Sequence, residues 1–136
     1  MNPVVKNILA IIAGIIVGSL VNMAIIMIGM FIIPAPDGVD PWDPESIKAN
    51  MDAFTHIHFI FPFLAHAVGT LVGAFVAAKI AANNKFKIAM VVGAIFLVFG
   101  VINLMSLSGP MWFNVVDAVG AYIPMGYLGG KWATKN

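Results

Sequence analysis

Four apolar stretches, each about 20 residues or longer, alternate with short polar segments along the chain. They fall at 4–33, 56–80, 88–107 and 111–132, and each is long enough for a helix that crosses a bilayer. The first is somewhat longer than a bilayer requires, which predicts tilt or protrusion at one end. Pro34 and Pro36 stop it. The second contains Pro62, which predicts a kink, because an interior proline removes a hydrogen bond and crowds the preceding turn. The fourth reads as one continuous span.

The polar segments carry their own punctuation. PDGVDPWD is rich in turn residues. Asp43 then reads as an N-cap, Pro44 as the first helical residue and Glu45 as a first-turn acid. From Glu45 to Phe54 the segment is amphipathic, with Ile47, Met51 and Phe54 on one side, so 34–55 reads as an outer loop leading into an interfacial helix. AANNKFK is a short basic loop, and SLSGP is a tight turn. Trp42 and Trp112 mark one membrane interface and Trp132 the other. Tyr122 and Tyr127 lie deeper, where a phenol needs an internal hydrogen-bond partner.

Charge gives these elements an orientation. There is no Arg, and Lys6, Lys79, Lys85, Lys87, Lys131 and Lys135 all fall at the N-terminus, in or beside the central loop, or at the C-terminus. Asp37, Asp40, Asp43, Glu45 and Asp52 share one segment with Lys48. By the positive-inside rule both termini are cytoplasmic and 34–55 is outside, as in a bacterial inner (plasma) membrane protein. The composition agrees: 61% of the 136 residues are hydrophobic and 10% charged, against roughly 25% charged in soluble domains. The first stretch is too long for a signal-peptide core and lacks small cleavage residues, so it reads as a retained span. The expected fold is an all-α membrane protein, one transmembrane domain over 1–136 forming a four-helix bundle. Nothing resembles a nucleic-acid surface. Without Cys there is no disulfide, thiolate nucleophile or Cys-ligated metal.

Small residues recur at helix-contact spacing as Gly14/Gly18, Gly69/Gly73 and Gly126/Gly130. Such pairs let helix backbones approach closely in lipid, within a bundle or between copies. A parallel hairpin repeat is also suggested. Lys6 and Asn22 stand as far apart as Lys87 and Asn103, and HAVG at 66–69 matches DAVG at 117–120. Under that alignment His66 and Asp117 are equivalent and meet near the axis.

The candidate chemistry lies inside the spans. Asp52, His56, Phe59, Phe63, His66, Thr70 and Gly73 form one stripe at helical spacing, and Phe113, Asp117, Gly120, Pro124 and Tyr127 form another. His58 falls off the first stripe. Asn22 and Asn103 add amides to the first and third spans. A charge such as Asp117 inside an apolar run is costly and usually has a partner or a function. His66 is expected to meet it inside the bundle, although His66 lies deeper by about 6 Å at 1.5 Å per residue. His66, Asp117, Asn22, Asn103 and Thr70 are therefore candidate lining for a solute, ion or proton pathway. His56, His66, Asp52 and Asp117 are the candidates for a metal or proton site. His56 and His66 stand about 15 Å apart on one helix and cannot share an ion directly. Haem ligation would need a dimer, because all three His lie on one helix. The acids of the outer loop do not follow calcium-loop spacing and are explained by turns and caps. No cofactor is identified.

Three functional readings follow. The first is a small transporter or channel, working as a homo-oligomer because four helices enclose little volume. The second is a non-catalytic scaffold or accessory subunit of a larger membrane partner. The third is a membrane-embedded enzyme acting on a lipid or quinone through a His/Asp site.

Overall fold

The computed structural model describes residues 1–135, whose regular secondary structure is all helical. In chain order the helices are α1 (Pro3–Ile32), α2 (Pro44–Ala49), α3 (Ile60–Ile80), α4 (Lys85–Leu107), α5 (Met111–Gly120) and α6 (Ile123–Thr134), with 3-10 turns at Met51–Ala53 and His56–Phe59. Local chemistry sets the starts. Asn2 Oδ1 accepts from the Val4 amide at 2.8 Å with Pro3 opening α1, and Asp43 Oδ1 accepts from the Glu45 amide at 3.0 Å with Pro44 opening α2. Asn84 and Ser108, both with positive φ, bracket α4. Three helical segments are long and apolar enough to cross a membrane: Pro3–Ile32, His56–Ile80 and Lys85–Leu107.

The fourth apolar stretch departs from its expected form. It is not one helix but two, of 10 and 12 residues, separated by a bend at Ala121 and Tyr122. Neither half alone covers the roughly 30 Å of a hydrocarbon core. Pro124 accounts for the break: it has no amide hydrogen, and its ring crowds the carbonyl of residue 120. At α6 it occupies the first turn, where a missing donor costs nothing. Pro62 behaves in the same way. Because 56–59 is a 3-10 turn, Pro62 falls in the first turn of α3 and not in its interior, so the expected kink is absent. The interfacial helix is also shorter than expected, ending at Ala49 before the first 3-10 turn.

α3 lies at the centre, packed against α1, α4 and α6. Glycine permits the closest of these contacts. A Cβ on Gly14 would lie 2.5 Å from the Gly73 carbonyl oxygen, and one on Gly18 would lie 2.7 Å from that of Gly69. The pairs Gly14/Gly18 and Gly69/Gly73 thus face each other inside one chain. In lipid, helices gain little by hiding apolar surface from their surroundings, so close backbone packing carries much of the association. α6 is wedged likewise. Gly126 sits against Gly93, Gly130 against Ala89, and a Cβ on Gly129 would lie 2.5 Å from the Leu71 carbonyl oxygen. The core is correspondingly alanine-rich: Ala10, Ala74, Ala77, Ala78, Ala81, Ala89 and Ala133 cluster with Ile88 and Val92. Large apolar side chains point outward instead, among them Ile8, Ile12, Ile16, Leu20 and Met27 along α1. That inversion is what a lipid-facing surface requires.

The two ends of the bundle are distinct. At the Lys-bearing end, Asn7 Oδ1 accepts from the Ala82 amide at 2.9 Å while its Nδ2 donates to Asn83 Oδ1 at 2.9 Å, fastening α1 to the α3–α4 turn. Ala133 packs there with Ala10 and Ala81. At the other end Phe59 meets Trp112 edge-to-face and packs against Phe113 at a tilt. α5 and α6 together therefore run the length of the bundle. The hairpin halves do not match throughout, since α3 is continuous where its counterpart is broken at Ala121–Tyr122.

The glycine contacts generate a stability test. Gly18→Ile must push α1 off α3 and should cost about 1–3 kcal/mol or more, the usual range for overpacking. Gly120→Ala meets only Phe63, at 3.5 Å, and should unfold near the parent temperature. Thermal unfolding in detergent checks both; equal effects would contradict close packing of α1 on α3.

Candidate functional site

Asp117 is completely shielded from solvent, and both of its carboxylate oxygens are engaged. His66 Nδ1 meets Oδ1 at 2.8 Å. The Tyr122 hydroxyl donates to Oδ2 at 2.9 Å. The imidazole and phenol rings lie nearly parallel, with centroids 5.9 Å apart and planes 25° from each other. An ionised carboxylate only accepts, so with Asp117 ionised His66 Nδ1 carries the hydrogen and Nε2 is the ring nitrogen left to bond something else.

Three elements and one glycine build this network. Counted from Ile60 and Met111, the first residues of α3 and α5, His66 and Asp117 sit at equal depth. The expected offset disappears because 56–59 forms a 3-10 turn outside α3 proper. The bend after α5 turns Tyr122 back toward Asp117, five residues earlier. α4 supplies space: at Gly100 any Cβ would collide with the Tyr122 phenol. His66 is the least buried member, with 17% of its side chain accessible.

His66 lies on the walls of two cavities. The first, of about 220 Å³, lies at the end away from the lysines and is bordered by the second half of α1, the 35–59 region and the ends of α4 and α5. Its lining is mainly apolar, including Ile26, Met30, Met51, Phe54 and Phe61, with His58, His66, Asn103 and Asn114 as polar points. The second, of about 300 Å³, is a cleft between α1 and α4 floored by α3. Asn22, His66, Thr70 and Asn103 all line it, together with Tyr122. Four of the five candidate pathway residues thus share one cleft, and Asp117 lies behind it, bonded to two of the lining side chains. Two buried oxygens, Thr70 Oγ1 and Asn114 Oδ1, have no hydrogen-bond partner among the described residues; Thr70 borders the cleft and Asn114 the first cavity.

The remaining candidates are placed elsewhere. Asp52 and His56 line a separate depression at the end away from the lysines, with Thr55 and Trp112, and precede α3 instead of continuing its stripe. His56, Asp52, His66 and Asp117 therefore do not form one cluster, and among the described residues no three His, Asp or Glu are grouped to hold a metal ion. His58 acts locally, its Nδ1 accepting from the Thr55 amide at 3.0 Å to cap the 3-10 turn. Tyr127 is half exposed beside Lys131, with the Lys131 Nζ 5.7 Å from its ring centroid. Tyr122 and Asn114 also belong to the site, although the helical stripes include neither. Depth marks Tyr122 as needing a partner, but only the Pro124 break turns it toward Asp117.

No protein-family model matches the chain, and neither curated proteins nor solved structures show a detectable match to it.

The network makes a non-additivity prediction. His66→Ala removes one partner of a buried carboxylate and should cost about 3–5 kcal/mol. His66→Ala combined with Asp117→Leu removes the charge as well and should be less destabilising than His66→Ala alone. Tyr122→Phe should cost about 1–3 kcal/mol for the unmet acceptor. A double-mutant cycle by detergent unfolding decides; additive effects of His66 and Asp117 would mean that they are not coupled.

Proposed function

We propose that this chain is a small integral membrane protein that passes a proton or a small solute across the bilayer by way of His66, Asp117 and Tyr122. In this reading it crosses four times, with α5 and α6 together making the fourth crossing. Both termini and the Lys-bearing turns are cytoplasmic, the acidic 34–55 segment is outside, and the membrane is the inner membrane of a bacterium. One observation carries the reading: His66 borders both cavities and is bonded to Asp117, a fully buried carboxylate. Ionisable groups in that position commonly belong to pathways.

The broken α5–α6 segment supports it too. Irregular backbone at membrane depth is tolerated where it lines a cavity, and transporter sites commonly sit at interrupted helices. The cavities are one-sided. They occupy the outer half, while the Lys end is packed shut by alanines and by the Gly14–Gly73 contact. In this reading the closed end is the cytoplasmic one, and passage requires α1 to separate from α3 there. Both cavities are built by a single copy. The scaffold reading has less support, because the pairs Gly14/Gly18 and Gly69/Gly73 are consumed within the chain.

Reconstitution in liposomes containing a pH-sensitive dye tests the proton version, under an imposed potential. Wild type should acidify or alkalinise the lumen faster than empty liposomes, and Asp117→Asn should abolish the difference while keeping the unfolding temperature. Flux unchanged in Asp117→Asn would remove Asp117 from the pathway. Orientation is tested with Lys85→Cys in this cysteine-free chain: a membrane-impermeant maleimide should label it only after the cells are opened.

A further inference from the structure

The α1–α4 cleft has a chemistry more specific than passage alone requires. Thr70 borders the cleft but is only 1% exposed, and its hydroxyl, shielded just beneath the wall, has no hydrogen-bond partner among the described residues. A threonine or serine hydroxyl in a helix ordinarily bonds a carbonyl of the preceding turn, as Ser106 does to Ile102 at 2.9 Å and Thr134 does to Gly130 at 2.8 Å. Thr70 does not, and a buried hydroxyl left unmet is costly. The amides of Asn22 and Asn103 border the same space, as does the imidazole of His66. No Lys, Asp or Glu lines it among the described residues. Asp117 is held behind it and is bonded twice over.

The rim is equally informative. Ser19 and Phe99, on α1 and α4, border the cleft and are both exposed. On either side of that opening the helices present lipid-facing side chains such as Leu20, Met23, Val98 and Ile102. The cleft therefore opens sideways, toward the acyl chains.

We propose that the α1–α4 cleft is a lateral binding site for an uncharged amphiphile whose hydroxyl- or carbonyl-bearing head group is held by Thr70, Asn22, Asn103 and Nε2 of His66. The tail leaves between Ser19 and Phe99 into the bilayer. A charged head group is disfavoured because no side chain of opposite charge lines the cleft to offset its desolvation. The ligand is a hydroxyl lipid of the monoacylglycerol kind or a quinone, which share this chemistry. The site rests on the cleft alone and does not require that anything be transported.

The test uses the full chain in phosphatidylcholine nanodiscs with a diazirine-bearing monoacylglycerol, and cross-links are mapped by mass spectrometry. Labelling should concentrate on the cleft-facing parts of α1 and α4, around Ser19–Asn22 and Phe99–Asn103. Unlabelled monoacylglycerol or a short-chain quinone should compete, and whichever does so more strongly identifies the source. Phosphatidylglycerol should not compete. Thr70→Val keeps the shape and removes the orphaned hydroxyl, so the ligand-free protein should unfold at the same or a higher temperature while competition weakens about tenfold, the loss expected for one hydrogen bond of about 1.4 kcal/mol. Labelling spread over all lipid-facing helices, equal competition by phosphatidylglycerol, or unchanged affinity in Thr70→Val would each overturn the proposal. Proton flux lost in Asp117→Asn, or absent altogether, leaves this result unaffected, so the two readings fail separately.

Discussion

One buried carboxylate constrains much of this molecule. Asp117 lies in a bundle whose outer surface is hydrocarbon-like, and an unmet charge there is far more costly than any single helix contact is favourable. Both its oxygens must find donors that the chain itself supplies. His66 on α3 and Tyr122 at the α5–α6 bend supply them. That requirement fixes the depth of α5 against α3, and it gives the bend between α5 and α6 a purpose: it returns a phenol to the carboxylate. Gly100 on α4 then has to lack a side chain so that the phenol fits. The same arrangement that satisfies the charge also leaves His66 on the walls of two cavities.

Close approach of helices is the second constraint. Glycine and alanine fill the interior while the bulky aliphatic residues face outward. In water such a molecule would expose much of its apolar surface, while in lipid the inversion costs nothing and the small interior residues bring backbones into contact. The Lys end is consequently tight, and the space around Asn22 and Asn103 lies toward the opposite end. Close packing at one end thus leaves the two cavities toward the other.

Much of this is legible from residues 4–107, where apolar length, proline and the Asp43–Pro44 start specify the elements directly. The pairing of His66 with Asp117 is legible as well, because a carboxylate among apolar residues needs a partner and few side chains of the chain can serve. What the sequence conceals depends on short-range breaks. A hydropathy reading treats 111–132 as continuous, although Pro124 interrupts it, and Tyr122 becomes a partner of Asp117 only because of that interruption. Pro62 shows the converse: it looks interior until the 3-10 turn at 56–59 places it in a first turn, where it is harmless. The partition of Asp52 and His56 away from His66 has the same origin, since a helical stripe cannot be continued across a change of helix type.

The geometry of the carboxylate within a lipid bilayer is the most direct measurement of whether this pair organises the bundle. Solid-state NMR on lipid-embedded protein, with 13C at the Asp117 carboxyl and 15N in the His66 ring, measures their dipolar coupling. A coupling to Nδ1 clearly stronger than that to Nε2 is expected, as the 2.8 Å Nδ1–Oδ1 contact demands. Absence of a resolvable coupling to either ring nitrogen would contradict the pairing, and with it the claim that Asp117 and His66 set the depth of α5 against α3.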